Sequence, residues 1–282
     1  MEEEHAMRYK IGDVAKILGI STDLIRYYEK KGVVRPEKGS NNNYRYYDTW
    51  DINFLIDCLW YKNFGFSIDQ IADIGSNSSY SSLQYSLDRK TTEIGELAQR
   101  YQLLHERLLR QQETMQKVEG LLGQCEISMG PDFIYYLNRH NFEYESDSAL
   151  QTISRRWLKY MPFSTRYFEC PAVRSGAGED RYSWGFSLDR HYVEVFQVPC
   201  EPPVAHMPSS LCIHSAFKSS GKNAFSPRHM DYMFRYARQN GLTPAGSAFG
   251  NLVCSVLDNN RLTGFFEAWL PIASPEGSAK TE

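Results

Sequence analysis

What this sequence lacks excludes several classes of protein. Its six cysteines lie far apart, so it has no C-x-x-C pair and no cysteine–histidine cluster with the spacing of a zinc or iron–sulfur site. No apolar run approaches the roughly 20 residues that a membrane span needs, and the acidic start, residues 1–5, is unlike a signal peptide. We therefore expect a cytoplasmic protein with no metal, no cofactor and no membrane partner.

An excess of positive charge is also lacking. The net charge is −3 at pH 7, which by itself does not indicate nucleic-acid binding. Between Arg8 and Lys62, however, ten Lys and Arg stand against seven Asp and Glu. The 282 residues, 42% of them hydrophobic, are enough for two domains with a core each. A local basic region within a larger protein is therefore the pattern to examine.

The N-terminal residues predict two short helices joined by a tight turn. Apolar side chains at 11, 14, 15 and 18 share one helical face. Gly19 then permits a turn, and Ser21-Thr22-Asp23 offers capping oxygens for a second helix that ends at Gly32. Two helices around such a turn are the sequence form of a helix-turn-helix.

In the second helix, the phase of the side chains separates core from surface. Leu24 and Tyr28 are expected on the buried face, whereas Arg26, Tyr27 and Lys30 are expected to face away from it. The alternative is that Tyr27 and Tyr28 are both core aromatics. We favour a core role for Tyr28 but not for Tyr27.

The residues after Pro36 predict a wing and two further helices. A polar loop, 37–43, leads into Tyr44-Arg45-Tyr46-Tyr47, whose aromatic content favours a strand. We interpret this loop and strand as parts of a two-stranded wing. A helix over about 49–63 and a capping box at 67–70, with the next helix starting at Ile71, complete a second helix-turn-helix shape.

A heptad pattern follows over more than five repeats. Ten of the twelve seam positions are apolar, and the seam consists of Leu83, Leu87, Lys90, Ile94, Leu97, Tyr101, Leu104, Leu108, Gln111, Met115, Val118 and Leu122. A helix of about 40 residues is on the order of 60 Å long, so it needs a partner helix, and a second copy of the chain is the simplest one. Lys90 and Gln111 are then expected to set the register.

Beyond the turn at 130–131 the composition predicts an α+β region with antiparallel strands. The predicted strands are 132–138, 182–188, 191–198, 211–217 and 265–272, and the predicted helices are 146–160 and 227–240.

In this order, the parts resemble the MerR family of regulators. The resemblance depends on five blocks of sequence, namely residues 9–15, 24–29, 32–36, 43–48 and 62–68. It implies a mainly α N-terminal winged helix-turn-helix (1–80), a long antiparallel dimerisation coiled-coil helix (81–123) and an α+β C-terminal effector domain (124–282). It also implies a homodimer that binds double-stranded promoter DNA and acts on RNA polymerase holoenzyme.

We predict DNA contacts from the motif positions and their chemistry. Arginine offers a planar fork to guanine edges or phosphates, tyrosine hydroxyls reach phosphates, and helix N-termini bind phosphate. The predicted DNA-binding residues are Ser21, Thr22, Arg26, Tyr27, Lys30, Tyr44, Arg45, Tyr46 and Lys62. For Arg45 the alternative is a solvated charge of the wing.

The C-terminal region resembles the GyrI-like, multidrug-sensing effector domains over roughly residues 130–275, most clearly at 208–217 and 265–272. Such domains place a carboxylate where this chain has Gly250 and Asn251, a departure that puts cation recognition by that strand in doubt. Glu267 is the alternative counter-charge, with a structural ion pair equally open. The predicted ligand residues are Trp157, Tyr160, Tyr182, Trp184, Phe186, Phe249, Asn251, Phe265, Glu267 and Trp269, although packed-core roles compete for each aromatic.

The leading hypothesis is therefore a regulator, not an enzyme, that activates a long-spacer promoter on binding a lipophilic aromatic or cationic small molecule. One alternative is small-molecule hydrolysis by the GyrI-like domain, with Glu267 as general base. Another is a constitutive repressor that needs no ligand. Metal sensing fits poorly, because only Cys125 lies near the long helix.

Overall fold

The computed structural model describes residues 8–39, 44–77, 79–171, 181–221, 224–258 and 260–273. The chain forms two compact units, Met1–Gln102 and Leu103–Glu282, whose boundary lies within the long helix. The predicted division into three domains stays a prediction. No helix in the described ranges is long and apolar enough to cross a bilayer.

The first unit contains the helix-turn-helix and the wing. Its elements are β1 (Tyr9–Lys10), α1 (Ile11–Leu18), α2 (Thr22–Lys30), β2 (Glu37–Lys38), β3 (Arg45–Tyr47), α3 (Thr49–Asn63), α4 (Ile68–Asn77) and the start of α5 (Tyr80–Leu121). The turn between α1 and α2 uses Gly19 at φ 63°, a left-handed conformation that glycine adopts without steric cost. The predicted helix-turn-helix is thus confirmed.

Three details of this unit differ from the prediction. The wing sheet has three strands in the order β1-β3-β2, because Tyr9 and Lys10 pair with β3. On α2, Ile25 and Tyr28 are fully buried and Leu24 only partly. The capping box at 67–70 is present, but α4 starts at Ile68, directly after the cap, as a capping serine requires.

Helix α5 has 42 residues, in agreement with the heptad pattern, but its two polar seam positions bind within the chain. Lys90 is buried and its Nζ donates to the Gly65 carbonyl (3.1 Å) and to Glu93 (2.7 Å). Gln111 Nε2 donates to the Val253 carbonyl at 2.9 Å. A buried polar group needs a partner, and each of these finds one in its own unit. The expectation that they set register between copies is corrected accordingly.

The second unit is built on a large antiparallel sheet. Its strands are β4 (Cys125–Met129), β5 (Phe133–His140), β6 (Glu143–Tyr144), β7 (Ser164–Cys170), β8 (Ser183–Asp189), β9 (Ala205–Met207), β10 (Leu211–Ser220), β11 (Ala248–Asp258) and β12 (Arg261–Pro271). They run in the order β4-β10-β12-β11-β7-β8-β5-β6, with β9 paired to β5. Its helices are α6 (Ser148–Leu158), α7 (Arg190–Phe196) and α8 (Asp231–Gln239), the last entered through a 3-10 turn.

One predicted strand of this unit is wrong. Residues 191–198 have the β-branched and aromatic content of a strand, yet they form α7. The cause is local, because the Asp189 carboxylate accepts from the His191 amide at 2.9 Å and caps the first turn of the helix.

Alternation along the strands gives the sheet two different faces. One face, which we call the helix-covered face, packs against α6, α7 and α8, with Trp157 of α6 in one cluster and Met233 of α8 in another. The opposite face carries a smaller cluster, which includes Phe133, Phe249 and Trp269. Side chains two residues apart on a strand share a face, so Glu267 lies on the same face as Trp269.

Candidate DNA-binding surface and ligand cavity

The N-terminus of α2 is capped by its own sequence. Ser21 Oγ accepts from the Leu24 amide at 3.2 Å, which satisfies one of the amides that a helix N-terminus leaves without a partner. Thr22, the first residue of the helix, is half-buried. The capping hydroxyl of Ser21 is therefore in use within the protein, and exposed side chains further along α2 are the more available groups.

The predicted contact residues of α2 are exposed, as their helical phase requires. The Arg26 side chain is 58% exposed and is held by Asp23 at 2.9 Å, and Tyr27 is 43% exposed. Lys30 lies exposed at the end of the helix. Tyr28 has no exposed surface, which confirms its assignment to the core.

An ion pair that the sequence did not indicate joins α2 to the wing. Glu29 accepts from Arg45 at 2.8 Å, and its side chain is only 10% exposed. It also accepts a hydrogen bond from the Tyr47 hydroxyl. Burial, followed by the bond to Glu29, raises the pKa of Tyr47 well above its usual range. Arg45 is thus fixed beside α2, with half of its side chain exposed.

The remaining predicted contacts lie on the wing and at the end of α3. Tyr44 is 63% exposed, with Lys10 Nζ 5.9 Å from its ring centre. Tyr46 is half-buried in the wing sheet, and Lys62 is exposed in the last turn of α3. Trp50, 80% exposed at the start of α3, is a further candidate that no sequence pattern marked.

In the second unit, a cavity of about 230 Å³ lies between the C-terminal half of α5 and the sheet. Helix α5 contributes Arg107, Arg110, Gln111 and Thr114 to its lining, and the sheet and its loops contribute Pro131, Phe133, Phe163, Thr165, Ser187, Asp189, Tyr192, Asn251, Leu252, Val253, Glu267 and Trp269. We call it the α5 cavity. Three of the predicted ligand residues, Asn251, Glu267 and Trp269, lie in this lining.

Glu267 takes part in a buried hydrogen-bond network behind the α5 cavity. Its Oε1 lies 2.7 Å from Nε2 of His214, and the other ring nitrogen of His214 lies 3.0 Å from Glu126. Glu126 also pairs with Lys117 of α5 at 3.2 Å. The histidine bond lowers the pKa of Glu126 more than any other interaction does. Glu267 therefore has a structural partner and faces the cavity as well.

Trp269 is held in a row of stacked rings. The His214 ring lies parallel to it, with 5.1 Å between centroids, and Phe249 stacks on it with 5.8 Å. These residues are neighbours across β10, β12 and β11. Trp269 is therefore flanked by a ring on each of the two neighbouring strands.

The polar lining of the α5 cavity is also fixed by internal bonds. Ser187 donates to Asn251 Oδ1 at 2.9 Å and lies 2.9 Å from the Thr165 hydroxyl. Arg107 Nε donates to the Pro162 carbonyl at 3.0 Å, and burial lowers its pKa. Arg110 lies 5.5 Å from the centre of the Tyr192 ring. The two arginines are cavity residues that the sequence did not mark.

The other predicted ligand residues do not join this lining. Trp157, Tyr160 and Phe186 pack in the helix-covered cluster of α6 and α7. Tyr182 and Trp184 pack in the cluster of α8, and Phe249 lies in the small cluster beside Trp269. Phe265 is half-buried on β12. The sequence grouped these aromatics into one pocket, whereas in the structure they lie on both faces of the sheet.

Comparison with known proteins identifies the N-terminal part. A family model described as MerR HTH family regulatory protein matches residues 9–77. A probable heavy metal-dependent transcriptional regulator of Haemophilus influenzae is 32% identical over 123 residues, which are 43% of this chain and 91% of the relative. Heavy metal-dependent transcription regulator 2 of Rhizobium meliloti is 29% identical over 122 residues, 43% of this chain and 80% of the relative.

A solved structure aligns with more of the chain. The cryo-EM structure of the EcmrR–DNA complex in EcmrR-RPo covers 94% of this chain and 100% of that chain, with 15% identity and a TM-score of 0.36. A TM-score this low supports no conclusion about function.

Proposed function

Because the chain belongs to the MerR family of helix-turn-helix regulatory proteins, we propose that it is a cytoplasmic, ligand-responsive transcription regulator that binds promoter DNA as a homodimer. The ligand-responsive part of the proposal is supported by one observation, that the C-terminal half of α5 forms one wall of the α5 cavity. A molecule bound there contacts the helix that we assign to dimerisation.

The DNA-binding part of the proposal is supported by exposed cationic and aromatic groups on α2 and the wing. Arg26 is held by the exposed Asp23, which a phosphate can replace at little cost. Arg45 is held by the mostly buried Glu29, but half of its own side chain stays exposed to DNA. Tyr27 and Tyr44 add exposed rings with hydroxyl donors. We propose these four as the principal DNA contacts, with Ser21, Thr22, Lys30, Tyr46 and Lys62 as supporting ones.

The homodimer is supported by the apolar stripe that α5 leaves exposed. Some seam residues, such as Leu87 and Leu104, pack within their own units. The exposed seam residues are Ile94, Leu97, Tyr101, Leu108 and Met115. Their spacing of three, four, seven and seven residues keeps them on one side of the helix. A second copy of α5 running antiparallel would cover this stripe.

For the effector, we propose a lipophilic aromatic or cationic small molecule. The lining of the α5 cavity, in the part of the chain that the structure describes, includes no Cys or His, so its chemistry does not suit the soft metals that those side chains bind. Its ring-bearing residues are Phe133, Phe163, Tyr192 and Trp269. Glu267 and Asp189 supply two negative charges, and Arg107 and Arg110 supply two positive ones.

We further propose that ligand binding activates transcription from a promoter with a long spacer, by favouring one arrangement of the two DNA-binding heads. The DNA must then be bent and untwisted so that RNA polymerase holoenzyme can engage both promoter elements. The deformation energy has to be offset by protein–DNA contacts that the ligand-bound dimer makes.

The proposal is tested by selecting operator fragments from random duplex DNA with the full chain and then measuring transcription from a selected promoter. A lipophilic phosphonium cation and an uncharged aromatic of similar size serve as effectors. Phe133→Leu, which removes the ring but keeps most of the volume of this buried residue, is expected to weaken induction strongly and to leave operator affinity unchanged. Loss of operator binding in this variant would mean that Phe133 serves the fold and not the effector. An unchanged transcript level with every compound would leave constitutive repression as the function.

A further inference from the structure

A second cavity lies on the helix-covered face of the sheet in the second unit. It measures about 170 Å³ and is lined by Arg139, Arg166, Trp184 and Ser219 together with aromatic residues that include Phe225 and Phe266. We call it the Trp184 cavity. It shares only Leu252 with the α5 cavity, and nothing in the proposed function uses it.

Two arginines flank the central ring of the Trp184 cavity. Trp184 lies on β8, between β5 and β7. The Arg139 guanidinium, from β5, lies 5.3 Å from the indole centre, and the Arg166 guanidinium, from β7, lies 5.0 Å from it. The two cations are close enough to repel each other, since Arg139 is one of the groups that, after burial, lower the pKa of Arg166.

Donors without acceptors accompany these charges. Trp184 Nε1, Arg139 Nε and Ser219 Oγ are buried, and none has a hydrogen-bond partner in the part of the chain that the structure describes. Trp184 and Ser219 are only 5% and 7% exposed. Native proteins rarely leave buried donors without partners, so several around one cavity indicate that an acceptor is missing.

Among the described residues, the lining of the Trp184 cavity includes no Asp or Glu. Within that part of the chain, no lining carboxylate balances the two guanidinium groups. The remaining wall is largely apolar and aromatic, with Phe142, Tyr182, Phe225 and Phe266 around the indole.

We propose that the Trp184 cavity binds a small organic anion, a carboxylate attached to an aromatic ring. The carboxylate accepts from the guanidinium groups and the indole N–H, and arginine binds such a planar anion with two parallel bonds. The ring of the ligand packs against the aromatic wall. This site goes beyond the proposed effector cavity and lies on the opposite face of the sheet.

The test uses isothermal titration of the full chain with sodium benzoate at low ionic strength. Benzamide has the same shape without the charge, and benzamidine carries the opposite charge. We expect benzoate to bind and benzamide to bind at least tenfold more weakly. Any binding of benzamidine should be unaffected by Arg139→Gln, because an aromatic cation suits the α5 cavity and not the two guanidinium groups. Absence of benzoate binding at millimolar concentration, or equal affinity for the three, would overturn the proposal.

Variants locate the binding. Arg139→Gln and Arg166→Gln are each expected to weaken benzoate binding at least tenfold, the scale of one lost charge-assisted bond. Arg139→Lys keeps the charge but loses the planar fork. Its benzoate affinity should lie between that of Arg139→Gln and that of the unchanged chain. Arg235→Gln, on the exposed side of α8, is the charge-matched control and should bind benzoate normally.

The α5 cavity also contains arginines, so it needs its own variant. Arg110→Gln is expected to leave benzoate affinity unchanged. If Arg110→Gln lost benzoate binding while Arg139→Gln bound benzoate normally, the benzoate site would be the α5 cavity and the proposal would be overturned. If Arg139→Gln does not fold, as judged by thermal unfolding without benzoate, Trp184→Phe replaces it. That variant keeps a ring and removes the N–H, so it should fold and bind benzoate several-fold more weakly; unchanged affinity would contradict the site.

Discussion

The exposed surface of α2 and the α5 cavity hold their hydrogen-bonded polar pairs in opposite surroundings. On α2, Arg26 is 58% exposed and its partner Asp23 is 86% exposed. Behind the cavity, His214 is 1% exposed and Glu267 is 13% exposed. Water or a phosphate can replace the partner of an exposed charge, whereas a buried charge that loses its partner is left without compensation. The first region is therefore suited to exchanging partners and the second to holding a fixed shape.

The largest effect is expected from breaking the buried network. His214→Ala leaves Glu267 without its partner and removes the ring that stacks on Trp269, so we expect the free energy of unfolding to fall by about 3 kcal/mol or more. The change is measured by urea denaturation of the full chain, with tryptophan fluorescence as the signal.

An exposed histidine pair provides the matched control. His206 lies 2.8 Å from Asp132, and both side chains are more than 40% exposed. His206→Ala should cost less than about 1 kcal/mol. Equal losses in the two variants would show that burial does not distinguish these histidines and would remove the contrast between the two regions.

The next effect concerns DNA. Arg26→Ala is expected to weaken operator binding by about 1–3 kcal/mol, the scale of a specific arginine contact, and to leave thermal stability nearly unchanged, because the Arg26–Asp23 pair is exposed. Electrophoretic mobility shift and thermal unfolding give the two readouts. Arg235→Ala in the other unit is the control, and a comparable loss of affinity there would point to nonspecific electrostatics.

How far the sequence predicts these regions depends on the range of the interactions involved. Helix α3 begins and ends where the sequence indicates, at Thr49 and Asn63, because caps and apolar periodicity act over a few residues. Helix α7 was predicted as a strand, since the Asp189 cap is a weaker signal than the aromatic composition that follows it. In the first unit, where local signals dominate, most elements were predicted.

The α5 cavity depends on long-range packing instead. Gln111 binds a carbonyl 142 residues further along the chain, and no pattern in the helix marks Arg107 or Arg110 as cavity residues. Alternation on β12 correctly grouped Glu267 with Trp269, but it could not show that His214 lies on the neighbouring strand beside both. Strand pairing has to be known before the site can be assembled.

A substitution with a smaller expected effect tests the ion pair between α2 and the wing. Glu29→Gln removes the partner of Arg45 and a negative charge near the proposed DNA surface. We expect operator affinity to rise by about 0.5–1 kcal/mol at low salt, and the gain to shrink as salt increases. Titration at two salt concentrations measures both. A loss of affinity would mean that Glu29 is needed to position Arg45.

The smallest expected effect is the acid dependence that Glu126 contributes. Its pKa is lowered from the ordinary value of 4.5, first by the bond to His214 and then by Lys117. A lowered pKa in the folded state means that Glu126 contributes stability in full above about pH 4.5 and that this contribution is lost as the pH falls through the folded-state value. The side chain is 42% exposed, so we expect less than about 1 kcal/mol. Urea denaturation between pH 3 and 7 should show Glu126→Gln losing less stability on acidification than the unchanged chain, and equal losses would mean that the exposed end of the network contributes nothing.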